Sequence, residues 1–198
     1  MNPVELGKRY DRLAQWWQEQ HKDSQYGLPA LERALAFAAD GGNALDVGCG
    51  CGGRMIRTLQ RRGFAVTGID VSENMVELAR RNHPDEHFIA TDAGEWQTPE
   101  KFDFILAWDS IFHLPLLRQR PVIDKLCGWL KPDGVIMYSF GNAVGEHTDT
   151  WRDDTFYYSS IGVVGNLAAL IENRMTVMHL ELDQYPESHA FVIARNTL

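Results

Sequence analysis

At 198 residues with 44% hydrophobic side chains, the chain has the material for one domain with a sizeable core. A formal net charge of −8 with scattered basic residues argues against a nucleic-acid partner, because binding a phosphate backbone rests on clustered Lys and Arg. No run is long enough to span a bilayer, the charged first ten residues lack an apolar signal core, and three cysteines form no paired framework, so a cytoplasmic chain with free thiols, no membrane partner and no metal site is expected.

In chain order, residues 3–20 read as a helix whose broad apolar face carries Val4, Leu6, Tyr10, Leu13, Ala14, Trp16 and Trp17. A second helix is expected over 29–39 and a first strand over 44–47, ending in the run Gly48-Cys49-Gly50-Cys51-Gly52-Gly53. A helix over 54–62 follows, with Arg57, Arg61 and Arg62 read as its solvated outer face. The second strand covers 65–70, Ser72 caps a helix running to Asn82, and Pro84 stops it. Strands over 87–90 and 102–108, a helix over 116–130, a turn at 131–134 and a fifth strand over 135–140 complete the middle of the chain. The remainder reads as a helix over 159–172, a sixth strand over 176–183 and a seventh over 189–195.

This alternation implies parallel strands joined by right-handed crossovers, with helices on both faces. The link 184–188 is too short for a crossover, so the last two strands must be antiparallel. The seventh, apolar on both faces, belongs inside the sheet. The sixth, where Met178, Leu180 and Leu182 alternate with His179, Glu181 and Asp183, belongs at its edge.

The glycines lie on a strand-to-helix turn, where the missing side chains let backbone approach a ligand. Their spacing satisfies both the dinucleotide pattern GxGxxG and the GxGxG of S-adenosylmethionine enzymes, and Asp70 at the end of the second strand suits a ribose in either. Asp46 separates the two readings. A carboxylate two residues before the first glycine would face the negative charge of a pyrophosphate, whereas a sulfonium brings positive charge. Asp92, after the third strand, reaches the same edge and suits an adenine amine.

Taken in order, LDVGCGCGG, GIDVS, ATDAG, FDFILAWDSIFHL and LKPDGVIMYSF resemble the successive motifs of class I S-adenosylmethionine-dependent methyltransferases, well over residues 44–140 and in pattern to the C-terminus. The resemblance implies a Rossmann-like three-layer αβα sandwich, its mostly parallel sheet of seven strands in the order 3-2-1-4-5-7-6 with strand 7 antiparallel. One domain over 1–198 is expected: an N-terminal helical lid (1–40), a cofactor-binding core (44–140), and a substrate-side insert with the C-terminal hairpin (141–198). The implied cofactor is S-adenosylmethionine, with S-adenosylhomocysteine as product and a small molecule as methyl acceptor. Gly48, Gly50 and Gly52 would pass its methionine part, with Cys49 on the same loop and Asp46 behind it. Asp70 and Val71 would meet the ribose, and Asp92 with the Ala93 backbone the adenine. Tyr10, in a Tyr10-Asp11 pair resembling the start of the family's lid, would reach the methionine carboxylate. The fourth strand ends in Ala107-Trp108-Asp109-Ser110, without the Asn/Asp-Pro-Pro-Tyr/Phe signature of the base-amine methylating members, which counts against nucleic-acid amino methylation.

Methyl transfer is an in-line displacement, so the protein mainly aligns the acceptor and excludes water. Where the acceptor must lose a proton, Asp109 and His113 are the acid–base candidates, although Asp109 equally suits a helix cap and His113 ordinary packing. Trp108 is placed to flank the sulfonium or to fill core. The substrate wall is expected from 141–158 and 183–189, with His147, Trp151, Tyr157, Tyr185 and His189 as contacts. A nicotinamide-dependent oxidoreductase and a non-catalytic cofactor-binding protein are the competing readings, and the oligomeric state is not legible.

Overall fold

The computed structural model describes residues 1–197. It opens with helix α1 (Pro3–His21), started by a reciprocal cap in which Asn2 Oδ1 accepts from Glu5 N at 2.9 Å and Glu5 Oε2 from Asn2 N at 3.3 Å. Helix α2 (Leu28–Leu35) follows Gly27, whose φ of 78° only glycine adopts cheaply and where a Cβ would stand 2.8 Å from the Trp108 ring. The core then alternates β1 (Gly42–Val47), α3 (Arg54–Arg61), β2 (Phe64–Asp70), α4 (Glu73–Asn82), β3 (His87–Ala90), β4 (Phe102–Ala107), a 3₁₀ turn (Ile111–His113), α5 (Leu116–Trp129) and β5 (Leu130–Gly141). An arm of β6 (Val144–Trp151) and β7 (Asp154–Ile161) precedes α6 (Gly162–Glu172), β8 (Met175–Asp183) and β9 (His189–Asn196).

The main sheet runs β3-β2-β1-β4-β5-β9-β8, parallel except for β9, which is antiparallel to both its neighbours. The expected order holds once β8 and β9 stand for the sixth and seventh sequence strands. Alternate residues feed two cores. Leu45, Ile105, Ile136 and Val192 pack with α5 and α6, while Ala44, Phe104, Met137 and Ile193 pack with α2 and α3. Among the described residues no helix is long and apolar enough to cross a membrane.

Four expectations need correction. Residues 131–134 lie within β5 as an irregularity, with Asp133 at φ 63° and the register against β4 shifting between Phe102 and Phe104. Residues 141–158, expected as a substrate-side insert with no strands assigned to it, form most of the β6–β7 hairpin, turned by Arg152 and Asp153, both at positive φ as a primed turn requires. The helix expected from 159 starts at Gly162, because Ser159 to Ile161 still pair with β6. The alternation of the sixth strand breaks at a bulge between Val177 and His179, which leaves Leu180 and Leu182 on the surface and turns His179 toward Phe191 and Arg33.

Candidate active site

A cavity of about 570 Å³ lies at the carboxyl ends of β1, β2 and β4 and beneath α1, within the range of small-molecule sites. The glycine loop forms its floor, with Gly48, Gly50 and Gly52 all at positive φ. Their reasons differ. A Cβ at Gly48 would run into Ser110 and one at Gly52 would stand 2.9 Å from the His83 ring, whereas one at Gly50 would meet nothing within 4 Å. Gly48 and Gly52 are thus glycines for packing, and Gly50 borders open space that a ligand can fill. Gly48 N and Cys49 N donate to Ile69 O (2.8 and 3.1 Å), and Gly50 N donates to Asp70 Oδ2 (2.9 Å). These three N–H groups brace the loop against β2.

Carboxylates ring the floor. Burial pushes Asp46 up to about 7, helped by Asp70 and opposed by Arg54. Burial also raises Asp70, against the N–H groups of Ser72, Gly50 and Val71 that favour its charged form. Asp92 lines the wall with Val71 and Ala93; its Oδ1 accepts from Gly94 N at 2.8 Å and its Oδ2 pairs with Arg118 at 2.8 Å. Cys49 and Cys51 are buried thiols held protonated by desolvation. Trp108 also faces the cavity, and its Nε1 has no partner among the described residues.

Opposite the loop, Tyr10 Oη lies 2.9 Å from His113 Nε2, and His113 Nδ1 lies 2.8 Å from the Tyr157 carbonyl. A carbonyl only accepts, so Nδ1 carries the hydrogen and Nε2 accepts from Tyr10. Burial lowers His113 to about 4, although its Tyr157 bond and Asp109 favour the cation, so the ring is neutral at pH 7. Burial raises Tyr10 well above an ordinary phenol.

The remaining sequence candidates divide. Asp109 lines the cavity, but His147, Trp151, Tyr157, Tyr185 and His189 do not. His147 stacks on Tyr158 at 5.3 Å, Trp151 packs edge-on against Trp16 and Trp17, Tyr157 bonds Glu146, Tyr185 is exposed, and His189 stands behind Asp109. Sequence reasoning missed Arg54, which is on the wall, and it assigned Arg57, which also lines the cavity, to the solvated face of its helix; Trp17, on the apolar face of the expected lid helix, does line the cavity. A helical projection of 54–61 signals only that Arg54 and Arg57 share a side.

Residues 44–134 match the family model described as "Methyltransferase domain". The chain is 31% identical over 156 residues to the ubiquinone biosynthesis O-methyltransferase of Actinobacillus pleuropneumoniae, covering 70% of this chain and 64% of that one. It is 28% identical over 137 residues to the phosphoethanolamine N-methyltransferase of Plasmodium falciparum, covering 66% of this chain and 51% of that one. The chain therefore spans between half and two thirds of the length of these two relatives. In fold it is similar to the Burkholderia thailandensis 1,6-didemethyltoxoflavin-N1-methyltransferase solved with its substrate and S-adenosylhomocysteine, at TM-score 0.76 and 19% identity over 100% of this chain and 92% of that one. With the motif order, the sheet order and the matched family model in agreement, residues 44–134 are a methyltransferase domain, set in a sheet with the strand order of the class I S-adenosylmethionine-dependent methyltransferases.

Proposed function

We propose that the protein transfers the methyl group of S-adenosylmethionine to a nitrogen or oxygen of a small organic acceptor. The observation that carries this is the joining, in one cavity, of an acidic glycine-loop floor to a neutral Tyr10–His113 pair. The floor fits the cofactor: Gly50 borders open space, Asp70 offers lone pairs to ribose hydroxyls, and Asp92 with the Ala93 backbone borders the place for an adenine. The same floor disfavours a dinucleotide, because the N–H groups of Gly48, Cys49, Gly50 and Gly52 are already bonded and Asp46, Asp70 and Asp92 would repel a pyrophosphate.

When bound, S-adenosylmethionine supplies a methyl group on a positively charged sulfur. The residues of the chain do the rest. Asp46 and Asp70 set a negative floor that favours the cation. Leu6, Trp17 and Tyr10 of α1 cover the cavity and keep water from the acceptor. An acceptor N–H or O–H bonded to Tyr10 Oη gives its proton there as the Tyr10 hydrogen passes to His113 Nε2, and Tyr157 O keeps the ring oriented throughout. The names of the relatives include N-methylation and O-methylation, which supports a small acceptor without choosing its atom.

Calorimetric titration of S-adenosylhomocysteine into wild type and Asp70→Ala, with NADH as control, tests the donor site. Micromolar binding lost in the variant is expected; NADH binding alone would overturn the reading. A panel of amines, phenols and small carboxylic acids, read as S-adenosylhomocysteine formed, then identifies the acceptor.

A further inference from the structure

Strands β4, β8 and β9 bring three titratable side chains into line beside the cavity. His189 opens β9, Asp183 closes β8, and Asp109 follows β4. His189 Nδ1 meets Asp183 Oδ1, and its Nε2 lies 2.9 Å from Asp109 Oδ1. Ionised carboxylates accept and do not donate, so both contacts are satisfied only when each ring nitrogen carries hydrogen. Ser139 Oγ completes the grip on Asp109, accepting its N–H at 2.7 Å and donating to Oδ1 at 3.1 Å. Asp109 itself sits at φ 52°, a left-handed conformation that a non-glycine residue keeps only when its surroundings hold it there. It lines the cavity, and Oδ2 takes neither of the bonds from Ser139 and His189.

We propose that His189 is a positioning residue of the acceptor site: anchored by Asp183, it holds Asp109 through Oδ1 so that Oδ2 is presented to the cavity to accept a hydrogen bond from the N–H or O–H of the acceptor. The inference rests on the methyl-transfer reading and adds to it the requirement that the acceptor bring a hydrogen-bond donor to Asp109. His189 itself makes and breaks no bond. The groups that face the ring are Asp109 from the end of β4, Asp183 from β8 and Tyr26 Oη at 3.5 Å from the link between α1 and α2, while Asp109 is itself acted on by Arg54 of α3 and by the Tyr26 hydroxyl, which also hydrogen-bonds its carboxylate. Burial alone would lower the His189 pKa, but the hydrogen bonds and charges of Asp109 and Asp183 outweigh it and raise it. The clamp is therefore complete while the ring carries both hydrogens and the two carboxylates are ionised, and it is lost as pH rises through the raised value.

The test compares wild type, His189→Ala and His189→Gln in pH profiles of S-adenosylhomocysteine formation with the acceptor returned by the panel. Thermal unfolding and S-adenosylhomocysteine binding of each variant are measured alongside. The alanine is expected to lower kcat/KM for the acceptor about ten- to a hundredfold, as loss of a charged hydrogen bond does, with product binding unchanged. The glutamine, whose amide donates at any pH, is expected to recover most of that loss and to erase the alkaline fall expected of wild type. Wild-type rates in the alanine variant, or a loss that glutamine leaves untouched, would overturn the proposal. Nitrogen-15 spectra of the imidazole need no acceptor: two ring hydrogens are expected at neutral pH, with the Nδ1 hydrogen lost in Asp183→Asn. A neutral ring with one hydrogen in wild type would also sink the idea. Absence of S-adenosylhomocysteine binding to wild type would instead count against the methyl-transfer reading, leaving the ring spectra to decide the clamp alone.

Discussion

His113 donates through Nδ1 to a main-chain carbonyl, and this contact decides which form of the ring meets Tyr10. A histidine lowered from 6.5 in the unfolded chain to about 4 in the fold binds its proton more readily when unfolded. Its contribution is fully present above pH 6.5 and is lost as pH falls toward 4, amounting to roughly 3 kcal/mol. Asp46 works the other way, since a carboxyl raised to about 7 penalises the fold as pH rises from 4 to 7. Comparing melting temperatures of wild type and His113→Asn across pH 4 to 7 therefore isolates the histidine: the gap between the curves should widen with rising pH, and a constant gap would contradict a buried neutral ring. Asp46 has its own signature. Ionising near pH 7, it should make the cationic donor bind better relative to the neutral product as pH rises from 6 to 8, and calorimetry should find that pH dependence absent in Asp46→Asn.

At the scale of elements, the β6–β7 arm supports α1 from outside the sheet. Phe156 of β7 is buried and lies 5.2 Å from the Tyr10 ring, and Trp151 of β6 closes on Trp16 and Trp17. Phe156→Ala should cost about 3 kcal/mol in denaturant unfolding and should lower methyl transfer more than product affinity, because the cavity it leaves loosens Tyr10. A loss of stability with unchanged turnover would make the arm a structural brace alone. The arm was also the least legible element. All eight residues of β6 are exposed, so no apolar alternation marks it as a strand, and Thr148, Thr150 and Thr155 give β propensity without burial. The unit β1–loop–α3 was legible because its apolar spacing and glycines agree with each other. Within the site, the carboxylates at the ends of β1, β2 and β3 could be placed from strand positions alone. The pairing of Tyr10 with His113, 103 residues apart, depends on how α1 crosses the strand ends, which no local pattern encodes.

For the whole molecule, the cavity is closed by a segment held on both sides. Asp11 of α1 accepts from Ser72 Oγ at 2.6 Å and Asn74 N at 3.0 Å, fixing the helix to the start of α4. Arg9 pairs with Asp154 at the arm's turn at 3.1 Å, with Arg12 beside it. A ligand bound between floor and lid must then stabilise the sheet, α1 and the arm together. S-adenosylhomocysteine at a hundred times its dissociation constant should add about 2.7 kcal/mol, which for a chain of this size raises the melting temperature by roughly 5–10 °C. Amide exchange should slow in α1 and in β6–β7 as well as in the glycine loop. In Asp154→Ala the thermal shift should remain, since the floor contacts are intact, while added protection of the arm disappears. Exchange that slows only in the glycine loop of wild type would mean that lid and arm are passive walls, and that closure over the acceptor is already complete before the ligand arrives.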